Sequence, residues 1–140
     1  MTRKLKVYIA GPYADRDRGV ALLLLLEGLG YEVTSTWLRE RENDATPDDR
    51  RRAANLDLAD VARSDALLAW TRDCSAEPRG TLVEIGAALA ADKPVVWIGR
   101  SEGECVFYDA SGVLHVASTD SAIAILEELR LSAGLEEAVS

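Results

Sequence analysis

Apolar and polar positions follow two rhythms along the chain, and the switches between them predict strands alternating with helices. Leu5-Lys-Val-Tyr-Ile-Ala10 reads as a first strand, cut off by Gly11-Pro12. Arg18 to Leu29 is helical; its Leu22–Leu26 run is apolar nearly all round, which predicts deep burial, and Gly30 closes it as a C-terminal cap. Tyr31-Glu-Val-Thr-Ser-Thr36 is a β-branched second strand, and the charged residues 38–45 form a loop. Thr46-Pro-Asp-Asp opens the next helix with a hydroxyl cap, a proline in the first turn and acids against the dipole; that helix runs to about Arg63. Asp65–Trp70 is a third strand, and Thr71 to Arg79 is a polar loop. The helix carrying Glu84 then runs to Asp92, and Pro94-Val-Val-Trp-Ile98 is a fourth strand after a proline stop. A short strand at Val113–Ala117 precedes a last helix from about Asp120 to Leu131, and residues 133–140 read as a frayed end.

Strands separated by helices of this length mean βαβ units, a parallel sheet and right-handed crossovers. A strand order of 2-1-3-4-5 puts the topological switch point between strands one and three. The segments leaving those strands are Gly11–Asp17 and Thr71–Gly80, so the Gly11-Pro12 turn and the Glu84 helix meet at one crevice. Ligands of open α/β sheets bind at such a place.

Composition narrows the partners. The 140 residues suit one domain spanning 1–140, and 48% hydrophobic with 29% charged residues is an ordinary globular balance. A formal charge of −8 argues against a nucleic-acid backbone as ligand, though a small anion held by backbone N–H groups and an arginine fits. Val20-Ala-Leu-Leu-Leu-Leu-Leu26 is too short to span a bilayer, and the amino-terminal strand leaves no room for a signal peptide, so a cytoplasmic location is expected. Cys74 and Cys105 have no metal-ligand spacing and read as reduced thiols, and His115 is the lone histidine, which argues against a histidine triad or a zinc site.

Several residues at the predicted crevice have two readings each. Thr81-Leu-Val-Glu84 matches a capping box, yet a carboxylate at a helix start on the sheet's carboxyl edge also suits a nucleophile. In Asn55-Leu-Asp-Leu-Ala-Asp-Val61 the apolar positions 54, 58, 61 and 62 leave Asp57 beside a buried stripe, where an acid can have its pKa raised and donate a proton. The bland alternative is a solvated acidic face, and Asp60 is expected to face water or to pair with an arginine. Tyr8 is either a packed tyrosine or one whose hydroxyl reaches the crevice. Gly11, Pro12 and Tyr13 form a plain turn or part of a phosphate cradle, without the full glycine pattern of one. Arg16, Arg18 and Arg79 flank the crevice, and Trp37 either stacks on a base or packs in the core.

Taken together, Tyr8-Ile-Ala-Gly-Pro-Tyr13, Asp57 ahead of Ser64-Asp65, and Gly80-Thr-Leu-Val-Glu-Ile-Gly-Ala-Ala-Leu89 before Lys93-Pro-Val-Val resemble the nucleoside 2-deoxyribosyltransferase family. Its superfamily includes nucleoside 5'-monophosphate N-glycosidases. The resemblance covers roughly residues 5–98. It implies a flavodoxin-like (Rossmann-like) three-layer α/β sandwich around a five-stranded, mainly parallel sheet. It also implies cleavage of the bond between a nucleobase and C1' of a (deoxy)ribose. By that resemblance Glu84 attacks C1', Tyr8 orients it, and Asp57 assists protonation of the leaving base. Gly11, Pro12, Tyr13, Trp37, Arg79 and Gly80 then hold a small nucleoside or nucleotide, with no metal or organic cofactor, in a homo-oligomer of two or more subunits. The family's deoxyribosyltransferases commonly carry an aspartate six residues before the nucleophile, and the phosphate-preferring hydrolases a serine. Here Pro78 stands there, with Arg79-Gly80 behind it, so sugar transfer and hydrolysis both stay open. Glu77 or Asp73 are candidates to replace the aspartate, Arg79 favours a 5'-phosphate, and Arg100 to Tyr108 is the stretch expected to serve a neighbouring subunit. A non-catalytic nucleotide-binding module, with Glu84 as a cap only, is the alternative of a different class.

Overall fold

A computed structural model of the chain describes residues 3–40, 44–71, 78–99 and 106–134. Strands β1 (Lys6–Ala10), β2 (Glu32–Val33), β3 (Ala66–Trp70), β4 (Val95–Ile98) and β5 (Val113–Val116) form one sheet in the order β2-β1-β3-β4-β5. Every pairing is parallel, with Val7 opposite Val33 on one side and Ala66 on the other. Helices α1 (Arg16–Gly28), α2 (Pro47–Ala62), α3 (Arg79–Ala90) and α4 (Thr119–Ser132) supply the crossovers and cover the faces. β1, β3 and β4 are buried almost throughout, as continuous apolar strands of a covered parallel sheet should be. This is the expected flavodoxin-like α/β architecture, with the switch point between β1 and β3.

Helix boundaries follow local chemistry. The Thr46 hydroxyl accepts from the Asp49 N–H at 3.0 Å with Pro47 behind it, so α2 starts where the cap and proline put it. α4 is capped likewise by the Ser118 hydroxyl, which accepts from the Ser121 N–H at 3.1 Å.

Two expectations fail for tertiary reasons. The leucine run of α1 is not buried all round: Leu22, Leu23 and Leu26 meet the sheet, while Leu24 and Leu25 remain 65% and 43% exposed. A helix lying on a sheet has one buried face, whatever its sequence offers on the other. The second strand is also shorter than its β-branched residues predict. Past Thr34, whose N–H still donates to the Val7 carbonyl at 2.9 Å, the Ser35 hydroxyl takes over from backbone. It accepts from the Ile9 N–H at 2.6 Å and donates to the Ile9 carbonyl at 3.1 Å. The Trp37 indole N–H donates to that same carbonyl at 3.0 Å. With β1 satisfied by side chains, the backbone turns off into a 3-10 turn at Thr36–Leu38 and carries Trp37 to the carboxyl edge of the sheet.

Candidate active site

The site is built where β1 and β3 release the chain in opposite directions. β1 ends at Ala10, and Gly11 crosses directly over Trp70, the last residue of β3. A Cβ at Gly11 would lie 2.1 Å from the Trp70 ring, so only glycine allows this approach. Pro12 follows, its carbonyl accepting from the Asp15 N–H at 2.9 Å to set the 3-10 turn Tyr13–Asp15. Opposite, α3 begins at Arg79, three residues earlier than a cap at Thr81 requires.

That earlier start removes the capping-box reading of Glu84. The N-cap position falls on Pro78, Thr81 is inside the helix, and Glu84 lies in its second turn. Its carboxylate does not curl back as a capping box would. Instead the Tyr8 hydroxyl donates to Glu84 Oε2 across the interior, linking β1 to α3. Tyr8 is fully buried and Glu84 is 9% exposed. Burial first, then the negative charges of Glu84 and Asp57, push the Tyr8 phenol far above its ordinary value of 10.0. It therefore stays protonated, a fixed hydrogen-bond donor within the field of Glu84, Asp57 and, more weakly, Asp60.

A cavity of about 480 Å³ opens in front of Glu84, a size suited to a small ligand. Gly11, Pro12, Tyr13 and Trp37 border it from the β1 side, Asp57 from α2, and Arg79, Gly80 and Glu84 from α3. Tyr8 stands behind the wall, bonded to Glu84. Trp37 is 4% exposed and anchored in the core, and it also borders the cavity with its ring 6.2 Å from that of Tyr13. Six further bordering residues, Ala14, Ala54, Leu58, Pro78, Thr81 and Val83, were not expected as binding residues. The signal for three of them is helical spacing, since 54 and 58 flank Asp57 on one face of α2 and Thr81 lies one turn before Glu84.

The acidic pair on α2 departs from its expected arrangement. Asp57 is half-buried at the cavity, and its neighbours Ala54 and Leu58 are exposed at the rim rather than part of a core stripe. Asp60, expected at the water face or with an arginine, is 2% exposed, so only the second half of that expectation stands. It accepts from the Thr36 N–H at 2.9 Å and pairs with Arg63 at 3.1 Å, fixing the turn that carries Trp37. Arg16 and Arg18 brace walls rather than border the space. Arg16 donates to the Trp37 and Leu38 carbonyls at 3.1 and 2.8 Å, and the Arg18 guanidinium sits 5.5 Å from the Trp70 ring centre. Glu77, Asp73, both cysteines and residues 100–105 lie outside the described residues. Tyr108, at the end of the stretch expected to serve a neighbour, stacks 3.8 Å from His115 beside Trp97. Among the described residues no group of three His, Cys, Asp or Glu converges to hold a metal ion, and no helix is long and apolar enough to cross a membrane.

Sheet, switch point and cavity define an open parallel α/β protein that presents two carboxylates to a small-molecule space, one of them held from behind by a buried phenol. A family model for nucleoside 2-deoxyribosyltransferase matches residues 7–112, and the chain belongs to that family. No curated protein matches the sequence closely enough to count as a relative. Among solved structures, the 2-deoxyribosyltransferase of the psychrotolerant bacterium Bacillus psychrosaccharolyticus is similar in fold, with a TM-score of 0.63 at 18% identity over 83% of this chain and 88% of that one. The CMP N-glycosidase BcmB of Clostridium botulinum gives a TM-score of 0.57 at 23% identity, over 90% and 98% of the two chains. A conserved protein from Enterococcus faecalis V583 gives 0.58 at 22% identity, over 88% of each.

Proposed function

We propose that this protein cleaves the N-glycosidic bond of a nucleoside or nucleotide through a glycosyl-Glu84 intermediate. The observation that carries the reading is the Glu84 carboxylate itself. It is held by the Tyr8 hydroxyl on one oxygen, at the edge of a cavity that Asp57 also borders. Two carboxyl groups around one small-molecule space, one fixed and one adjacent, are what retaining glycosyl transfer requires. Glu84 attacks C1' as the bond to the base nitrogen breaks, and the bond's electron pair leaves with the base. Asp57 delivers the proton that neutralises that nitrogen. A second base or a water then passes a proton back to Asp57 as it attacks C1', and the C1'–O bond returns its electrons to Glu84. Tyr8, protonated throughout the neutral range, holds the nucleophile in one rotamer. Trp37 and Tyr13 offer the aromatic surface for the base.

Hydrolysis of a nucleoside 5'-monophosphate is the second reading, favoured by one specific feature. Arg79 and Gly80, at the start of α3, border the cavity. Backbone N–H groups at a helix start and a guanidinium are suited to a phosphate.

The test is release of free base from deoxynucleosides, ribonucleosides and their 5'-monophosphates, with and without an acceptor base. Release only with acceptor means transfer, and release in water alone means hydrolysis. Binding without release would identify a non-catalytic module. Full activity in Glu84→Ala would refute the covalent mechanism.

A further inference from the structure

One polar group at the cavity is left over by this mechanism. Thr81 is 2% exposed, borders the cavity, and its hydroxyl has no hydrogen-bond partner among the described residues. A threonine inside a helix usually donates back to a carbonyl of the preceding turn. Here the Pro78 carbonyl accepts the Leu82 N–H at 3.0 Å, and Thr81 does not use it. Leaving a buried hydroxyl unmade is costly to a fold, and such groups call for an explanation. Thr81 is also not needed as a cap, because α3 begins before it.

Position narrows what the hydroxyl can meet. Thr81 and Glu84 are three residues apart, so they lie on one face of α3, their Cβ atoms roughly 5–6 Å apart. A group bound by Thr81 therefore lies on the same side of the substrate as the nucleophile. In a β-nucleoside the base and C5' project from one face of the pentose, and the 2'- and 3'-hydroxyls from the other. A carboxylate displacing the base in line must approach from the face opposite the base, the α face. The wall that presents Glu84 to C1' thus presents Thr81 to the hydroxyls of C2' and C3', and not to the 5'-substituent or the base.

We infer that Thr81 is a specificity-determining residue whose hydroxyl bonds an α-face hydroxyl of the pentose. The assignment rests on the N-glycosidic reading above. It adds the part of the sugar that this chain recognises directly, and it explains why the free protein keeps an unmade hydrogen bond beside its nucleophile.

The test compares the full chain with Thr81→Val and Thr81→Ser on one base attached to four sugars: ribose, 2'-deoxyribose, 3'-deoxyribose and 2',3'-dideoxyribose. Valine keeps the β-branched shape and removes only the hydroxyl. Thr81→Val should lower kcat/KM about 10-fold to about 100-fold on sugars carrying the recognised hydroxyl, and leave the dideoxy compound unchanged. Thr81→Ser should retain most of the activity. The singly deoxygenated sugar that escapes the loss identifies the hydroxyl as 2' or 3'. The ligand-free Thr81→Val protein should melt at the same temperature or higher. An equal loss on all four sugars, no loss on any, or a melting temperature lowered by several degrees would overturn the assignment. If the wild-type protein released base from none of the four, the functional reading would fall instead. Calorimetric binding of the same compounds would then decide the Thr81 assignment by the same pattern in Kd.

Discussion

The two edges of the sheet carry similar polar side chains in opposite arrangements. At the amino edge the charged groups just ahead of β3 and β4 hold elements together. Asp65, ahead of β3, accepts from the Lys6 N–H at 2.8 Å and from Arg3 at 2.5 Å. Lys93, ahead of β4, donates to the Val61, Ala62 and Ser64 carbonyls where α2 ends. At the carboxyl edge Glu84, Asp57 and Thr81 gather round an open cavity with Tyr8 behind Glu84, and the Thr81 hydroxyl has no partner among the described residues. Groups at the first edge should therefore control stability with little bearing on chemistry, and groups at the second the reverse.

The largest break in that comparison comes from Glu84→Gln. The amide keeps an oxygen for the Tyr8 hydroxyl, so the cavity wall should survive, with a melting temperature close to that of the wild type. Base release should fall by about 10³-fold or more, since an amide is a poor nucleophile and a poor leaving group. Wild-type turnover with normal folding would move the nucleophile elsewhere. Asp57→Asn is next. It should lower kcat by about 10²-fold, the usual range for a lost general acid, without loss of stability. The deficit should shrink on substrates whose base leaves without protonation, because only those do not need the proton.

Asp60→Ala sharpens the contrast within one helix. Asp60 lies three residues from Asp57, but its carboxylate is buried against the Thr36 N–H and Arg63. Its removal leaves that N–H unmade and should cost about 1–3 kcal/mol in chemical denaturation. Since Thr36 begins the turn that carries Trp37, KM should rise while kcat per folded molecule stays within a few-fold. A kcat loss as deep as that of Asp57→Asn would erase the distinction between the two acids.

How much of this was legible in the chain depends on whether the cause was local. The α2 start could be read because Thr46, Pro47 and Asp49 act within one turn. The parallel sheet and its switch point could be read because strand runs and helix lengths leave few topologies. The Thr81–Glu84 spacing misled, because a capping box and a stretch inside a helix look alike unless the helix start is known. The acidic pair on α2 was harder still. Apolar residues at 54 and 58 imply a core stripe, but in the fold they rim a cavity, and the buried acid is Asp60. The end of β2 had no local signal, because it depends on Ser35 and Trp37 reaching Ile9 on another strand.

Lys93→Met carries the smallest expected effect and tests the amino edge by itself. The ammonium faces carbonyls that a helix C-terminus leaves without partners, and a cation there is favoured by the helix dipole. The gain is limited for two reasons. Burial lowers the Lys93 pKa, only partly countered by the nearby Asp65 charge, so the ammonium is desolvated to make these bonds. The Val61 carbonyl also has other donors, the Ser64 hydroxyl at 2.7 Å and the Ser64 N–H at 3.1 Å, and stays satisfied without the lysine. Methionine keeps the packing of the stem and removes only the charge. The loss should be about 1 kcal/mol in urea denaturation, with kcat/KM unchanged for every nucleoside tested. A change in sugar or base selectivity in this variant would mean that the two edges communicate through α2, and the separation of stability from chemistry would have to be abandoned.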